Sequence, residues 1–204
     1  MRKVLKILNN PFDYFKRYSK VPFHIFGVKE RACMRFVRKR FKDKQIIGAE
    51  VGVWRGENSY EILTRLSNCK LLYLIDPYEE YPAYEGTDIK TLISAKAQAH
   101  IRLQSFEQKG RVVWLHKKFE DCEGVIAENS LDFVYIDGDH RYETVKKDLA
   151  LALRLVKIGG VIGGHDYSNL PHLHGVKQAV NEFCKENEFK LNLGGPSDWW
   201  VLKS

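Results

Sequence analysis

Short apolar runs recur along this chain, and each stops abruptly at glycine, acid or histidine. Residues 46–53 end in Trp54-Arg55-Gly56, and residues 71–75 end at Asp76-Pro77. Residues 112–116 precede Lys117-Lys118-Phe119-Glu120, and residues 131–136 run into Asp137-Gly138-Asp139-His140. Residues 161–164 stop at His165-Asp166. Runs of this length predict buried parallel strands. Between them the apolar period lengthens, which predicts helices over 58–67, 89–108, 142–156 and 175–186. Asn58 with Glu61 is similar to a capping box. Ahead of the first strand, Val28, Ala32, Phe36 and Cys33, Val37, Phe41 recur at helical spacing, so residues 28–42 read as an amphipathic helix packed on the sheet. At the far end, 189–193 and 199–202 flank Gly194-Gly195-Pro196-Ser197 and read as a hairpin. Alternating strands and helices predict an α/β fold: a doubly wound, mostly parallel seven-stranded sheet with an antiparallel C-terminal hairpin.

Charge divides the chain. Residues 1–44 hold 14 Lys and Arg against three acids, a net of +11, whereas the remaining 160 residues hold 19 against 23, a net of −4. We therefore separate a basic N-terminal helical arm, 1–45, from a domain at 46–204. The arm suits an anionic partner: nucleic acid, a membrane surface or an acidic substrate. It also leaves exchange between subunits of a homo-oligomer open. No apolar run approaches the roughly 18 residues of a transmembrane span. Cys33, Cys69, Cys122 and Cys184 lie far apart with no metal-ligand spacing, as expected of a reduced, cytoplasmic protein.

Ligands of open α/β sheets bind outside the carboxyl ends of the strands, so the chemistry is sought there. Glu50-x-Gly52-x-x-x-Gly56 lacks the spacing of the dinucleotide fingerprint, which argues against a nicotinamide cofactor. Its glycines still admit a ligand close to the backbone. Glu50 offers a carboxylate to a cationic group such as an amine. Asp76, 24 residues beyond Gly52, suits a ribose diol. Phe119 reads either as an adenine platform or as core, and Glu120 can lie near the exocyclic amine. Asp137, Asp139, His140, His165 and Asp166 gather at two neighbouring strand ends. Asp137, His165 and Asp166 offer oxygen and nitrogen ligands to a divalent cation, and His140 suits a general base. His172 and His174 follow in a loop near the same mouth. The tyrosine-rich loop 78–86 reads as an acceptor-side lid.

These stretches together resemble the class I S-adenosylmethionine-dependent methyltransferases. Glu50-Val51-Gly52-Val53-Trp54-Arg55-Gly56 is similar to that family's glycine-rich first motif, Asp76 to its ribose-binding acid, and Phe119-Glu120 to its adenine-contacting turn. The resemblance covers 46–204 and implies S-adenosyl-L-methionine as cofactor, held by Glu50, Gly52, Trp54, Gly56, Asp76, Phe119, Glu120 and Asp137. A narrower resemblance lies in Asp137-Gly138-Asp139-His140-x-Tyr142, Asp148, Gly159-Gly160 and His165-Asp166, which look like the branch of macrocin-type and related sugar O-methyltransferases. It implies His140 as base with Asp137 beside it in the catalytic site. It also implies Mg2+ or another divalent cation on Asp137, His165 and Asp166. Where relatives often carry two acids, this chain has His165-Asp166.

The expected activity is O-methylation of a hydroxyl on a sugar or other small molecule, with a small-molecule or glycan acceptor. Two alternatives stand beside it. The basic arm favours a nucleic-acid methyltransferase, although the fourth strand lacks the Asn-Pro-Pro-Tyr-like and Pro-Cys motifs of such enzymes. A non-catalytic cofactor-binding or scaffold protein with a docking arm is the other.

Overall fold

The computed structural model describes residues 30–79 and 88–204. The basic-aromatic pieces of 1–29 and most of the expected lid lie outside the described residues. Helix α1 (Ala32–Arg40) leads into β1 (Ile46–Val51), α2 (Glu57–Arg65), β2 (Cys69–Ile75), α3 (Ile89–Glu107) and β3 (Val112–Leu115). Then follow β4 (Leu131–Ile136), α4 (Tyr142–Leu155), β5 (Val156–Gly164), α5 (His174–Glu186), β6 (Asn192–Gly194) and β7 (Asp198–Leu202). The seven strands form one sheet in the order β3-β2-β1-β4-β5-β7-β6. The first five are parallel; β7 runs antiparallel to β5, and β6 antiparallel to β7.

The period of two along each strand feeds two cores. Phe133 and Tyr135 of β4 join Ile46, Leu72 and Leu74 beneath α1, α2 and α3. Val134 and Ile136 join Ala49, Ile162 and Trp199 beneath α4 and α5. Both faces are covered, which is why the parallel strands read as unbroken apolar runs. Cys33, Met34 and Val37 of α1 are buried in the first of these cores. Residues 30–45, grouped with the arm by charge, therefore share the core of the sheet. Asp198, at the start of β7, ties α1 to the last strand and to β4. Its carboxylate accepts from the Cys33 amide at 3.0 Å and from the Tyr135 hydroxyl at 3.2 Å.

Two local readings change. The fifth strand, read from the apolar run at 161–164, begins earlier, at Val156. Its pairing with β4 shifts register between Leu131 and Phe133, and Gly159 has φ of 77°. The glycines take up a bulge within the strand. The capping box at Asn58 is also absent. Gly56, at φ 73°, caps α2 with no side-chain bond, because Asn58 and Ser59 turn their side chains toward β1.

The parallel strands end level. Val51 pairs with both Ile75 and Ile136, and Ile136 pairs with Gly164. The next residue on each strand, Gly52, Asp76, Asp137 and His165, therefore stands on one rim. The strand order reverses between β1 and β4, and the crevice expected at such a switch point opens there.

Candidate active site

A cavity of about 940 Å³ occupies this crevice. That volume lies within the roughly 300–1,000 Å³ usual for small-molecule sites. It runs from Arg31, Asp137, His140 and Asp166 past Gly52 to Asp76, Phe119 and Glu120. Every residue expected to hold the cofactor except Gly56 lines it. Gly56 lies behind the wall, at the start of α2 and close to Ala99 of α3.

At the β1 end, Gly52 has φ of 86°, and a Cβ there would stand 2.2 Å from the carbonyl oxygen of Asp137. Only glycine lets the turn after β1 lie this close to the end of β4. Glu50, near the end of β1, is 1% exposed. It accepts hydrogen bonds from Asn58 Nδ2 at 2.8 Å and from Ser59 Oγ. Burial outweighs these bonds and pushes the Glu50 carboxyl up to about 8. Asp76 organises the turn as well as lining the cavity. One oxygen accepts from the Val53 and Trp54 amides at 3.0 and 2.9 Å, the other from the Tyr78 amide at 2.8 Å. Trp54 itself stands exposed at the mouth, with φ of 52°.

At the β3 end, Phe119 is buried in the core beneath α4 and also lines the cavity. Glu120 lines the cavity together with Lys147. Its carboxylate pairs with Lys147 of α4 at 2.8 Å and is 42% exposed.

The polar cluster at β4 and β5 is arranged differently from the sequence expectation. Asp137, His140 and Asp166 have ligand atoms within 4.8 Å of one another. His165, expected in that set, is engaged on both ring nitrogens. Its Nδ1 donates to Asp166 Oδ1 at 2.8 Å, while its Nε2 meets the Arg31 guanidinium and Ser197 Oγ. It supports Asp166 from behind, and His140 takes the converging position. His140 Nε2 lies 2.8 Å from Asp166 Oδ2. Asp166 adopts φ of 62°, a left-handed conformation that costs energy for a residue other than glycine and marks a constrained position.

Charge follows from this packing. Burial raises Asp137 to about 6, against the opposing pull of His165. Burial also works against ionising Asp166, but bonds from His140 and His165 prevail, and its carboxyl sits well below the usual range. His165 is shifted the opposite way: burial lowers it, but Asp166 and Asp137 carry it above the ordinary imidazole value. Arg31, from the start of α1, completes the group 3.6 Å from Asp137 Oδ2. The sequence reading missed Arg31, because its partner His165 lies 134 residues away. Its one sequence signal was its place among the basic residues of an amphipathic helix. His172 lies in a short 3₁₀ turn and His174 opens α5, and neither lines the cavity. Of the expected lid, Tyr78 is buried, with its hydroxyl donating to the Trp54 carbonyl; residues 80–87 lie outside the described residues.

The family of methyltransferase domains matches residues 49–167, and the chain belongs to it. With its seven-stranded sheet and antiparallel hairpin, it is a class I S-adenosylmethionine-dependent methyltransferase. A comparison with curated proteins finds no match. Solved structures share the fold at low identity. A caffeoyl-CoA O-methyltransferase candidate from Staphylococcus aureus is 14% identical, with a TM-score of 0.62 over 99% of this chain and 96% of its own. An rRNA methylase candidate from Clostridium thermocellum is 16% identical, with a TM-score of 0.60 over 86% of this chain and 97% of its own. A methyltransferase candidate from Streptococcus mutans, solved with S-adenosylhomocysteine, is 16% identical, with a TM-score of 0.61 over 85% of this chain and 99% of its own. Among the described residues, no helix is long and apolar enough to cross a membrane.

Proposed function

We propose that this chain methylates a hydroxyl group of a sugar or other small molecule, using S-adenosyl-L-methionine as donor and His140 as general base. The observation that carries the proposal is the His140–Asp166 pair, 2.8 Å apart in the cavity that also holds the Gly52 turn and Asp76. The ribose belongs at Asp76 and the amino group near Glu50, which directs the methyl group toward Asp137 and His140. An acceptor hydroxyl placed there attacks in line. Its oxygen–methyl bond forms as the sulfur–methyl bond breaks, and its proton passes to His140. Asp166, ionised beside the ring, orients the imidazole and stabilises the imidazolium that results. Positioning two reactants in one cavity supplies much of the remaining rate.

Asp137 and Asp166 offer the carboxylate oxygens that Mg2+ prefers, with His140 as a third donor within reach. The residues fit a divalent cation, and Asp137 and Asp166 would hold it. When bound, such an ion lowers the pKa of an acceptor hydroxyl. His140 then serves either as base or as ligand. Activity with and without a chelator separates the two roles.

The test is methyl transfer from labelled S-adenosylmethionine to a panel of glycosides, phenols and short RNAs. His140→Ala should lower kcat by roughly 10²–10⁴-fold, the range for a lost general base. Its affinity for S-adenosylhomocysteine should stay within a factor of about three of the wild-type value. Undiminished turnover would remove His140 from this role, and methylation confined to RNA would favour the nucleic-acid reading.

A further inference from the structure

Each carboxylate oxygen of the Asp137 and Asp166 pair already faces a nitrogen of this chain. Asp166 Oδ1 meets His165 Nδ1, and its Oδ2 meets His140 Nε2, each at 2.8 Å. Asp137 Oδ1 lies 3.7 Å from His165 Nδ1, and its Oδ2 lies 3.6 Å from Arg31 Nη2. A divalent ion that takes these oxygens competes with their present partners. The partners differ in what they can do next. His140 can turn from partner to ligand, since a neutral imidazole offers a lone pair and the ring stands within reach of both acids. Arg31 has no such second role. A guanidinium keeps its charge in a protein and has no lone pair to give.

This charge is brought to the rim from outside it. Asp137, His165 and Asp166 follow the ends of parallel strands, whereas Arg31 immediately precedes α1. The Cys33 amide donates to Asp198 at 3.0 Å, and that bond fixes the start of the helix beside β7. From there the Arg31 side chain reaches the cavity. Its Nη1 meets His165 Nε2, and its Nε has no hydrogen-bond partner among the described residues. Arginine on a surface helix ordinarily turns to solvent. This one keeps 23% of its side chain exposed and directs its charge at Asp137.

We infer that Arg31 is a tethered cation that competes with divalent ions for Asp137, so that the wild-type protein holds such ions weakly and proton removal stays with His140. Two unit charges about 4 Å apart repel by an amount worth roughly fivefold in an equilibrium constant even in water, and a doubly charged ion squares that factor. A guanidinium also leaves the acceptor hydroxyl uncoordinated, which keeps His140 a base and not a ligand. The inference rests on the cation site proposed above and goes beyond it by naming the residue that controls it.

The test is binding of Mn2+ to the full chain, followed by calorimetry and by the paramagnetic resonance signal of the free ion, with no acceptor or cofactor present. Mn2+ suits carboxylate ligands. Arg31→Gln and Arg31→Leu both remove the charge, and the first keeps a donor for His165. Each should bind Mn2+ at least roughly tenfold more tightly than the wild type. Arg31→Lys keeps the charge and should stay within about threefold of the wild type. Asp137→Asn added to Arg31→Gln should remove the gain, which places the ion at this carboxylate. Gln and Leu proteins that bind Mn2+ no more tightly than the wild type would overturn the inference. So would a Lys protein that gains as much as they do, or a gain that survives Asp137→Asn. Affinity for S-adenosylhomocysteine, measured on the same samples, should stay within about threefold for every Arg31 variant. Failure of the wild-type chain to bind that ligand would count against the cofactor assignment alone.

Discussion

Replacing Glu50 by Gln should make this protein more stable and a poorer binder of its cofactor, and the stability gain should depend on pH in one direction only. Glu50 is fully buried, and its pKa moves from 4.5 to about 8 on folding. An acid raised in this way makes its full contribution to stability below pH 4.5, and that contribution is lost as pH climbs through about 8. At about 1.4 kcal/mol per pH unit, the 2.5 units up to pH 7 cost the folded state about 3 kcal/mol, and the loss levels off near 5 kcal/mol above pH 8. Glutamine keeps the shape and an acceptor for Asn58 and has no proton to lose. Thermal melts of both proteins from pH 4.5 to 8.5 should coincide near the acid end and then separate. At pH 7 the Gln protein should melt about 5–10 °C higher, by the usual conversion for a domain of this size. Asp137 and Asp148 also titrate in this span, at about 6 and about 8, so the informative quantity is the difference between the two proteins. Binding of S-adenosylhomocysteine should weaken by roughly tenfold or more, because glutamine cannot ionise against the ligand's amino group as Glu50 can when the ligand binds. A difference in melting temperature that stays flat from pH 5 to 8 would refute the assignment of Glu50 as a strained, ligand-facing acid.

Gly52→Ala should cost about 2–4 kcal/mol in urea denaturation and abolish measurable S-adenosylhomocysteine binding, because its Cβ would meet the Asp137 carbonyl in a left-handed conformation. Arg31→Leu should leave cofactor affinity within about threefold but lower kcat by roughly tenfold, since it withdraws the cation beside Asp137 and His165. Asp198→Ala should cost about 2–4 kcal/mol, read as a lower urea midpoint, because it leaves the Cys33 amide and the Tyr135 hydroxyl as buried donors without an acceptor.

The sheet was legible because each parallel strand is buried on both faces and so announces itself as an apolar run stopped by a polar residue. β4 illustrates this: its bounds at Leu131 and Ile136 agree between sequence and structure. The rim followed, since level strand ends put Gly52, Asp76, Asp137 and His165 side by side. Side-chain direction was less visible. Nothing in the spacing of His140 and His165 distinguishes a ring that faces the cavity from one turned toward Ser197. That choice is made by Arg31 and β7, which are remote in sequence. The pairing of Glu120 was hidden for a similar reason, because its partner Lys147 lies on another element. Asp148 appeared in the sequence only as one residue of a pattern, and its burial is a property of packed elements. Asn58 was mistaken for a cap because its true partner, Glu50, lies on the preceding strand and not within the helix.

The bond from the Cys33 amide to Asp198 has a consequence for where this protein can be cut. It fastens the start of α1 to the start of the last strand, two residues from Arg31 on one side and one from Ser197 on the other. The wall behind His165 is thus assembled from segments near opposite ends of the chain. A fragment begun at residue 46, where the change in charge invites a boundary, would keep the Gly52 and Asp76 rim but lose Arg31 from beside His165 and Asp137. The catalytic unit closes like a clasp, and its two halves must be kept, exchanged or redesigned as a pair.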